Sequence, residues 1–260
     1  MSISRQAIHA CPKLPAVVTT LTYEFEPGHT IPEHFHPEDQ LVYASRGVMT
    51  VRTSAGAWVV PAHRAVWIPA RTPHSIVMSG AVSMRTLYLR ARLVGSLPRA
   101  CCVVNVSALL QELILHACQH QHLNRRSRVQ RHLIDFMVDQ METVQAIPLQ
   151  LPRPSDPRAV RVANALQRES GEQTSLEQIC DRAGASKRTI ERLFQAETGL
   201  TLGKWRQQLR LQRSLQLLAS GEKVTHAAME AGYSTPSAFI AMFRDALGTT
   251  PGRYFDETRV

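Results

Sequence analysis

The most constraining feature of this 260-residue chain is a helix, glycine, cap, helix pattern that occurs twice between Thr174 and Phe255. In the first copy, Thr174 followed three residues later by Glu177 reads as a capping box. It starts a helix at Ser175 or Leu176, with Leu176, Ile179 and Ala183 on one face. Gly184 takes the left-handed conformation that ends this helix, and Ser186 caps the next one. There Ile190, Leu193 and Phe194 recur at helical spacing, while Lys187, Arg188, Thr189, Glu191 and Arg192 point elsewhere. A short apolar helix, a glycine turn and a helix with a cationic outer face is how a recognition helix is presented to a major groove.

The second copy begins about fifty residues later. Val224, Ala227, Ala228 and Ala231 face inward on a short helix, Gly232 turns the chain, and Thr235-Pro236 supplies an N-cap with proline at the first helical position. The helix that follows, Ser237 to Leu247, buries Phe239, Ile240, Phe243 and Leu247 and exposes Ser237, Met242, Arg244 and Asp245. Between the copies, Leu202 to Ala219 is long enough for one connecting helix, with Trp205, Leu209, Leu211, Leu215 and Leu218 apolar. Thr250-Pro251 opens a last turn carrying Tyr254 and Phe255.

Residues from about Asp156 to Phe255 resemble the DNA-binding domain of the AraC/XylS family of bacterial transcription regulators. The resemblance is closest from Ala231-Gly232-Tyr233 through Phe243-Arg244 to Thr250-Pro251-Gly252-Arg253-Tyr254. It implies double-stranded operator DNA as partner, with Ser186, Lys187, Arg188, Thr189, Arg192, Thr235, Ser237 and Arg244 as expected contacts. RNA polymerase is a second partner of such a regulator.

The net charge of +9 suits a polyanion, yet it does not locate the DNA site. Residues 1–154 hold 15 Lys and Arg against 9 Asp and Glu, and residues 155–260 hold 15 against 12. The placement of Lys187, Arg188, Arg192, Arg210 and Arg244 therefore matters more than the total. No run approaches the roughly 18 apolar residues of a membrane span, and the start, Met1-Ser2-Ile3-Ser4-Arg5-Gln6, lacks an apolar signal segment. Five cysteines, an odd number without CxxC spacing, fit reduced thiols in a cytoplasmic protein.

From Val17 to Leu89 the chain reads as short strands: Val17 to Phe25, Gln40 to Ala44, Val48 to Arg52, Trp58 to Val60, Ala65 to Ile68, Ser75 to Met78 and Met84 to Leu89. Gly28, Gly47, Gly56 and Gly80 stand between them as turn signals. Regular short strands argue for a small barrel or sandwich. Within this region, His34 and His36 are two apart, so on a strand they share a face while Phe35 packs on the other. Together with Gln40, Gly47 and the later Pro69-Ala70-Arg71-Thr72-Pro73-His74, they resemble the two motifs of the cupin superfamily.

That resemblance implies a ligand set of His34, His36, Gln40 and His74, and a divalent transition metal (Zn, Ni, Cu or Fe). Gln40 departs from the pattern, which has Glu there, and four neutral ligands leave the charge of the ion uncompensated. Two readings stand open: a metal site, or histidines lining a small-molecule effector pocket and bonded to each other or to water. His63, outside the motif, is expected in a surface loop.

After Leu93 the pattern turns helical. Val106, Leu109, Leu110, Leu113, Ile114 and Ala117 recur at helical spacing, as do Val129, Leu133, Phe136, Met137, Met141 and Val144, around the basic turn Arg125-Arg126-Ser127-Arg128. Such a pair serves either as a homodimer interface or as packing against its own barrel. His116/His120 and Cys118/His122 have i, i+4 spacing but read as a solvated helix end. Ile147 to Pro154, with three prolines, reads as a semi-rigid interdomain linker.

The expectation is an α+β protein of two domains, an N-terminal cupin-like β-barrel and an all-α tandem helix-turn-helix domain. Residues 1–95 form the sensor, 96–154 a helical connector and linker, and 155–260 the DNA-binding domain. The function implied is a one-component, non-enzymatic transcription regulator answering a ligand or metal. In the cupin-containing subgroup it resembles, the regulated gene is often an adjacent efflux transporter. The rival is a metal-dependent cupin enzyme, a dioxygenase or isomerase; the attached helix-turn-helix units and the missing acidic ligand weigh against it.

Overall fold

The computed structural model describes residues 16–144, 146–147, 149–168 and 175–256. Thr174, the start of the chain and Pro148 of the expected linker lie outside them. The N-terminal half is built from β1 (Val18–Phe25), β2 (Thr30–His34), β3 (Asp39–Thr53), β4 (Gly56–Pro61), β5 (Arg64–Ile68), β6 (His74–Leu89) and β7 (Cys102–Asn105). It continues through α1 (Ala108–Ala117), β8 (His122–Leu123), α2 (Arg128–Glu142), β9 (Ala146–Ile147) and β10 (Gln150–Pro152). Seven helices follow: α3 (Pro157–Arg168), α4 (Leu176–Arg182), α5 (Lys187–Thr198), α6 (Leu202–Ala219), α7 (Val224–Glu230), α8 (Pro236–Leu247) and α9 (Pro251–Asp256). No helix among the described residues is long and apolar enough to cross a membrane.

The strands form one antiparallel sheet in the order β8-β1-β6-β3-β5-β7-β9, with β2 on β6 and β4 joining β3 to β10. The four strands expected at Gln40–Ala44, Val48–Arg52, Ser75–Met78 and Met84–Leu89 are in fact two long ones. β3 and β6 pair from Asp39 opposite Leu89 to Arg52 opposite Ser75, with register shifts around Arg46. Gly47 (φ +82°) lies at that irregularity, where a Cβ would meet the Ala81 carbonyl oxygen at 2.3 Å. The glycine thus bends a continuous ladder where two backbones press together, instead of ending a strand.

Alternation along β3 sends its side chains into two cores. Leu41 and Tyr43 face Leu110, Ile114, Ile134, Met137 and Met141 of α1 and α2, whereas Val42 and Ala44 share a core with Leu211, Leu215, Phe239, Phe243 and Tyr254 of the helical half. Leu110 therefore packs within its own chain. Leu109, Val129 and Phe136, on the same two helices, are the exposed apolar side chains.

The expected linker is partly strand. Gln150–Pro152 pairs with β4, and Leu151 is buried with Ala159, Val162 and Trp205, so pairing satisfies backbone groups that a spacer would leave to water. His63 occupies the β4–β5 turn (φ +60°) but is half-buried, with Nδ1 3.2 Å from the Gln111 side chain of α1.

Candidate DNA-reading surface and effector pocket

The first helix-turn-helix unit is capped one residue later than the sequence pattern suggests. Ser175 Oγ accepts from the Gln178 amide at 3.2 Å, and Gln178 Oε1 accepts from the Ser175 amide at 3.1 Å. Thr174-x-x-Glu177 and Ser175-x-x-Gln178 satisfy the same motif, so spacing alone does not separate them. Gly184 (φ +76°) makes the turn as expected, and Ser186 Oγ accepts from the Thr189 amide at 3.3 Å to start α5. Ile190 and Phe194 are fully buried, and complete burial of such a side chain contributes about 1.5–3 kcal/mol.

Of the residues expected to touch DNA, Arg188 and Arg192 are exposed on α5. Ser186 and Thr189 join hydroxyls at 3.0 Å within the cap, and Lys187 Nζ lies 3.0 Å from Glu177 Oε1. The second unit repeats the design. Gly232 (φ +80°) turns the chain, Thr235 Oγ1 accepts from the Ala238 amide at 3.2 Å, and Pro236 opens α8. Thr235, Ser237 and Arg244 are exposed, while Phe239, Phe243 and Leu247 are buried. The Arg210 guanidinium lies over the Tyr233 ring at 5.6 Å from its centroid, a stacking that no sequence spacing signals. One helix, α6, spans from the first unit to the second.

In the β-domain the structure brings His34, His36, Gln40 and His74 together. Not all of them ride a strand: His34 ends β2 opposite His74 at the start of β6, whereas Phe35 and His36 lie in the following loop. The His34 and His74 ring centroids are 4.3 Å apart, His36 and His74 5.2 Å, and His34 and His36 6.2 Å. Each Nδ1 sits 2.8 Å from a backbone carbonyl: Pro32 for His34, Glu38 for His36 and Thr72 for His74. For His74, an Nδ1–H donating to the Thr72 carbonyl leaves Nε2 as the acceptor, whereas both ring nitrogens of His36 face oxygens, of Glu38 and Gln40. The Gln40 amide lies between His36 Nε2, at 3.0 Å, and the Thr86 hydroxyl, at 2.8 Å, and the Tyr88 ring meets His36 edge-on at 4.9 Å. Sequence spacing gave no sign of Thr86 or Tyr88.

His74 Nε2 is buried with no hydrogen-bond partner among the described residues. Burial, opposed by the Thr72 carbonyl and reinforced by His34 and His36, pushes its pKa down to about 4, so the ring is neutral near pH 7. The metal expectation finds no support in this geometry. No three His, Cys, Asp or Glu side chains among the described residues are arranged to hold an ion, and Gln40 and His36 engage each other instead of a common centre. His116 and His120 are exposed at the end of α1.

Comparison with known proteins agrees with both halves. Residues 18–146 match the AraC-like ligand binding domain and residues 179–257 the helix-turn-helix domain. The HTH-type transcriptional regulator NimR of Escherichia coli K12 is 34% identical over 225 residues, covering 86% of this chain and 82% of NimR. RipA of Corynebacterium glutamicum is 32% identical over 103 residues, covering 40% of this chain and 31% of its own. Among solved structures, ToxT from Vibrio cholerae O395 aligns with a TM-score of 0.40 at 12% identity, over 94% of this chain and 98% of that one. With capped, glycine-turned helix pairs at both ends of α6 and a regulator similar along most of its length, the chain belongs to the AraC/XylS family of transcription regulators, carrying an AraC-like ligand binding domain ahead of its helix-turn-helix domain.

Proposed function

We propose that this regulator reads operator DNA through the exposed faces of α5 and α8 and answers a small organic effector held at His36, Gln40 and His74. The observation that carries the effector reading is the buried, unpartnered His74 Nε2 beside the His36–Gln40–Thr86 chain. A neutral imidazole with an unused acceptor inside a sheet domain suits a ligand that brings an N–H or O–H donor, and leaving such an atom unmatched costs about 1–3 kcal/mol. An effector shifts DNA binding only by its differential affinity for the arrangements of the two halves, typically 5–150-fold, or about 1–3 kcal/mol.

In this reading the protein works in the cytoplasm as a homodimer, with Leu109 and Phe136 facing a second copy, and acts with RNA polymerase at an adjacent efflux transporter gene. The test is a gel shift on the DNA upstream of the neighbouring gene, with wild type and His74→Ala, against donor-bearing small molecules and each of Zn, Ni, Cu and Fe. An operator affinity that ignores every ligand and the substitution contradicts the effector reading. A response to metal alone would restore the ion in place of the organic ligand.

A further inference from the structure

Two faces of α6 do different work. Trp205, Gln212 and Gln216 turn toward the sheet, where they donate to the Pro152 carbonyl at 2.8 Å, the Leu149 carbonyl at 2.9 Å and the Thr50 hydroxyl at 2.9 Å. At about 100° per residue, Gly203, Gln207 and Arg210 come round on the side of the helix away from the sheet, with Arg206 at the edge of that face. There they line an open groove of about 300 Å³, bordered on its far side by Tyr233, in the turn of the second helix-turn-helix unit, and by Met242 of the recognition helix α8. Two arginines and no Asp or Glu are among the described residues that line it.

Arg210 is seated by the turn it faces. Its guanidinium lies over the Tyr233 ring, 5.6 Å from the centroid, and a Cβ on Gly232 would come within 3.2 Å of its Nε and one Nη. Gly232 therefore serves twice: it takes the φ of +80° that turns the chain, and its missing side chain leaves the room that the guanidinium fills. Burial raises the Tyr233 pKa above its ordinary 10, against the pull of Arg210, so the phenol is neutral near pH 7 and does not cancel the guanidinium charge. Stacking fixes the plane of an arginine before a ligand arrives and so lowers the entropy lost on binding.

α6 joins the first unit to the second. When α5 and α8 enter major-groove segments one helical turn apart, the duplex between them turns its phosphates toward the helix that connects them. We propose that Arg210, seated on Tyr233 in the space left by Gly232, binds a DNA phosphate between the two segments, with Arg206 and Gln207 along the same groove. The inference rests on the reading of α5 and α8 as the DNA-reading helices. Arg210 is then a positioning residue, which sets the two units on the duplex without reading a base.

The experiment is a gel shift of the full-length protein on its operator and on a scrambled duplex, over a salt series. Arg210→Gln should weaken both duplexes alike, by about three- to tenfold, and lower the slope of log affinity against log salt by about 0.9. Arg210→Lys should restore the slope. Gln207→Lys, at an exposed position where the fold is not at risk, should raise the slope by about 0.9 and tighten both duplexes. Circular dichroism and the unfolding midpoint check each variant. An unchanged slope in Arg210→Gln or in Gln207→Lys, or a loss confined to the operator, would overturn the phosphate contact. A wild type that binds both duplexes alike would instead overturn the reading of α5 and α8, and the slopes on either duplex would still decide the role of Arg210.

Discussion

The Tyr254 hydroxyl donates to the carbonyl of Ala62 at 2.7 Å, joining α9 to the β4–β5 turn. The bond is buried, so Tyr254→Phe leaves that carbonyl without its partner and should cost about 1–3 kcal/mol in urea unfolding. Loss of less than about 0.5 kcal/mol would mean that water replaces the hydroxyl freely.

Burial also pushes the Tyr254 and Tyr43 pKa values up to about 12 from an ordinary 10. A phenol held neutral in the fold but free to ionise when unfolded contributes stability that is complete below pH 10 and lost as pH rises toward about 12. Unfolding midpoints should fall across that window, and Tyr254→Phe should flatten part of the fall.

His74 titrates in the opposite sense. Its folded value of about 4 lies below the ordinary 6.5, so the unfolded chain takes up the proton first. Its contribution is complete above pH 6.5 and declines as pH drops toward 4, by at most about 1.4 kcal/mol per pH unit. Denaturation of His74→Ala across this range should show a shallower acid slope than wild type; equal slopes would assign the acid sensitivity to other groups.

On the DNA side, Arg188→Ala or Arg244→Ala should cost about 1–3 kcal/mol and relax preference at one position if the side chain reads a base. If it meets a phosphate, the same substitution weakens binding evenly and lowers the salt dependence by about one ion. Lys187, already paired with Glu177, should matter less than Arg188. Gel shifts over a salt series separate these cases.

Assembly has a test in two neighbouring leucines. Leu110 is 1% exposed against its own sheet, whereas Leu109 is 48% exposed. Leu110→Asp should unfold the β-domain. Leu109→Asp, or Phe136→Asp on α2, should leave it folded and halve the mass seen by light scattering. Unchanged mass with full solubility would contradict a dimer built on these two side chains.

The helix-turn-helix units were legible because glycine, serine, threonine and proline punctuate them through local backbone chemistry, which spacing reports directly. The sheet was less so. Gly47 and Gly80 read as turns, yet they lie within strands whose continuity depends on partners distant in the sequence, such as Val48 opposite Ser79. His34, His36, Gln40 and His74 could be grouped by motif, but Thr86 joins them only through the pairing of β3 with β6.

The most direct measurement is footprinting of the full-length protein on its operator. Two recognition helices joined by α6 should protect two major-groove segments about one helical turn, roughly 34 Å, apart. Arg188→Ala should erase one segment and Arg244→Ala the other. Protection of a single segment, or protection without sequence preference, would contradict the tandem reading of α5 and α8.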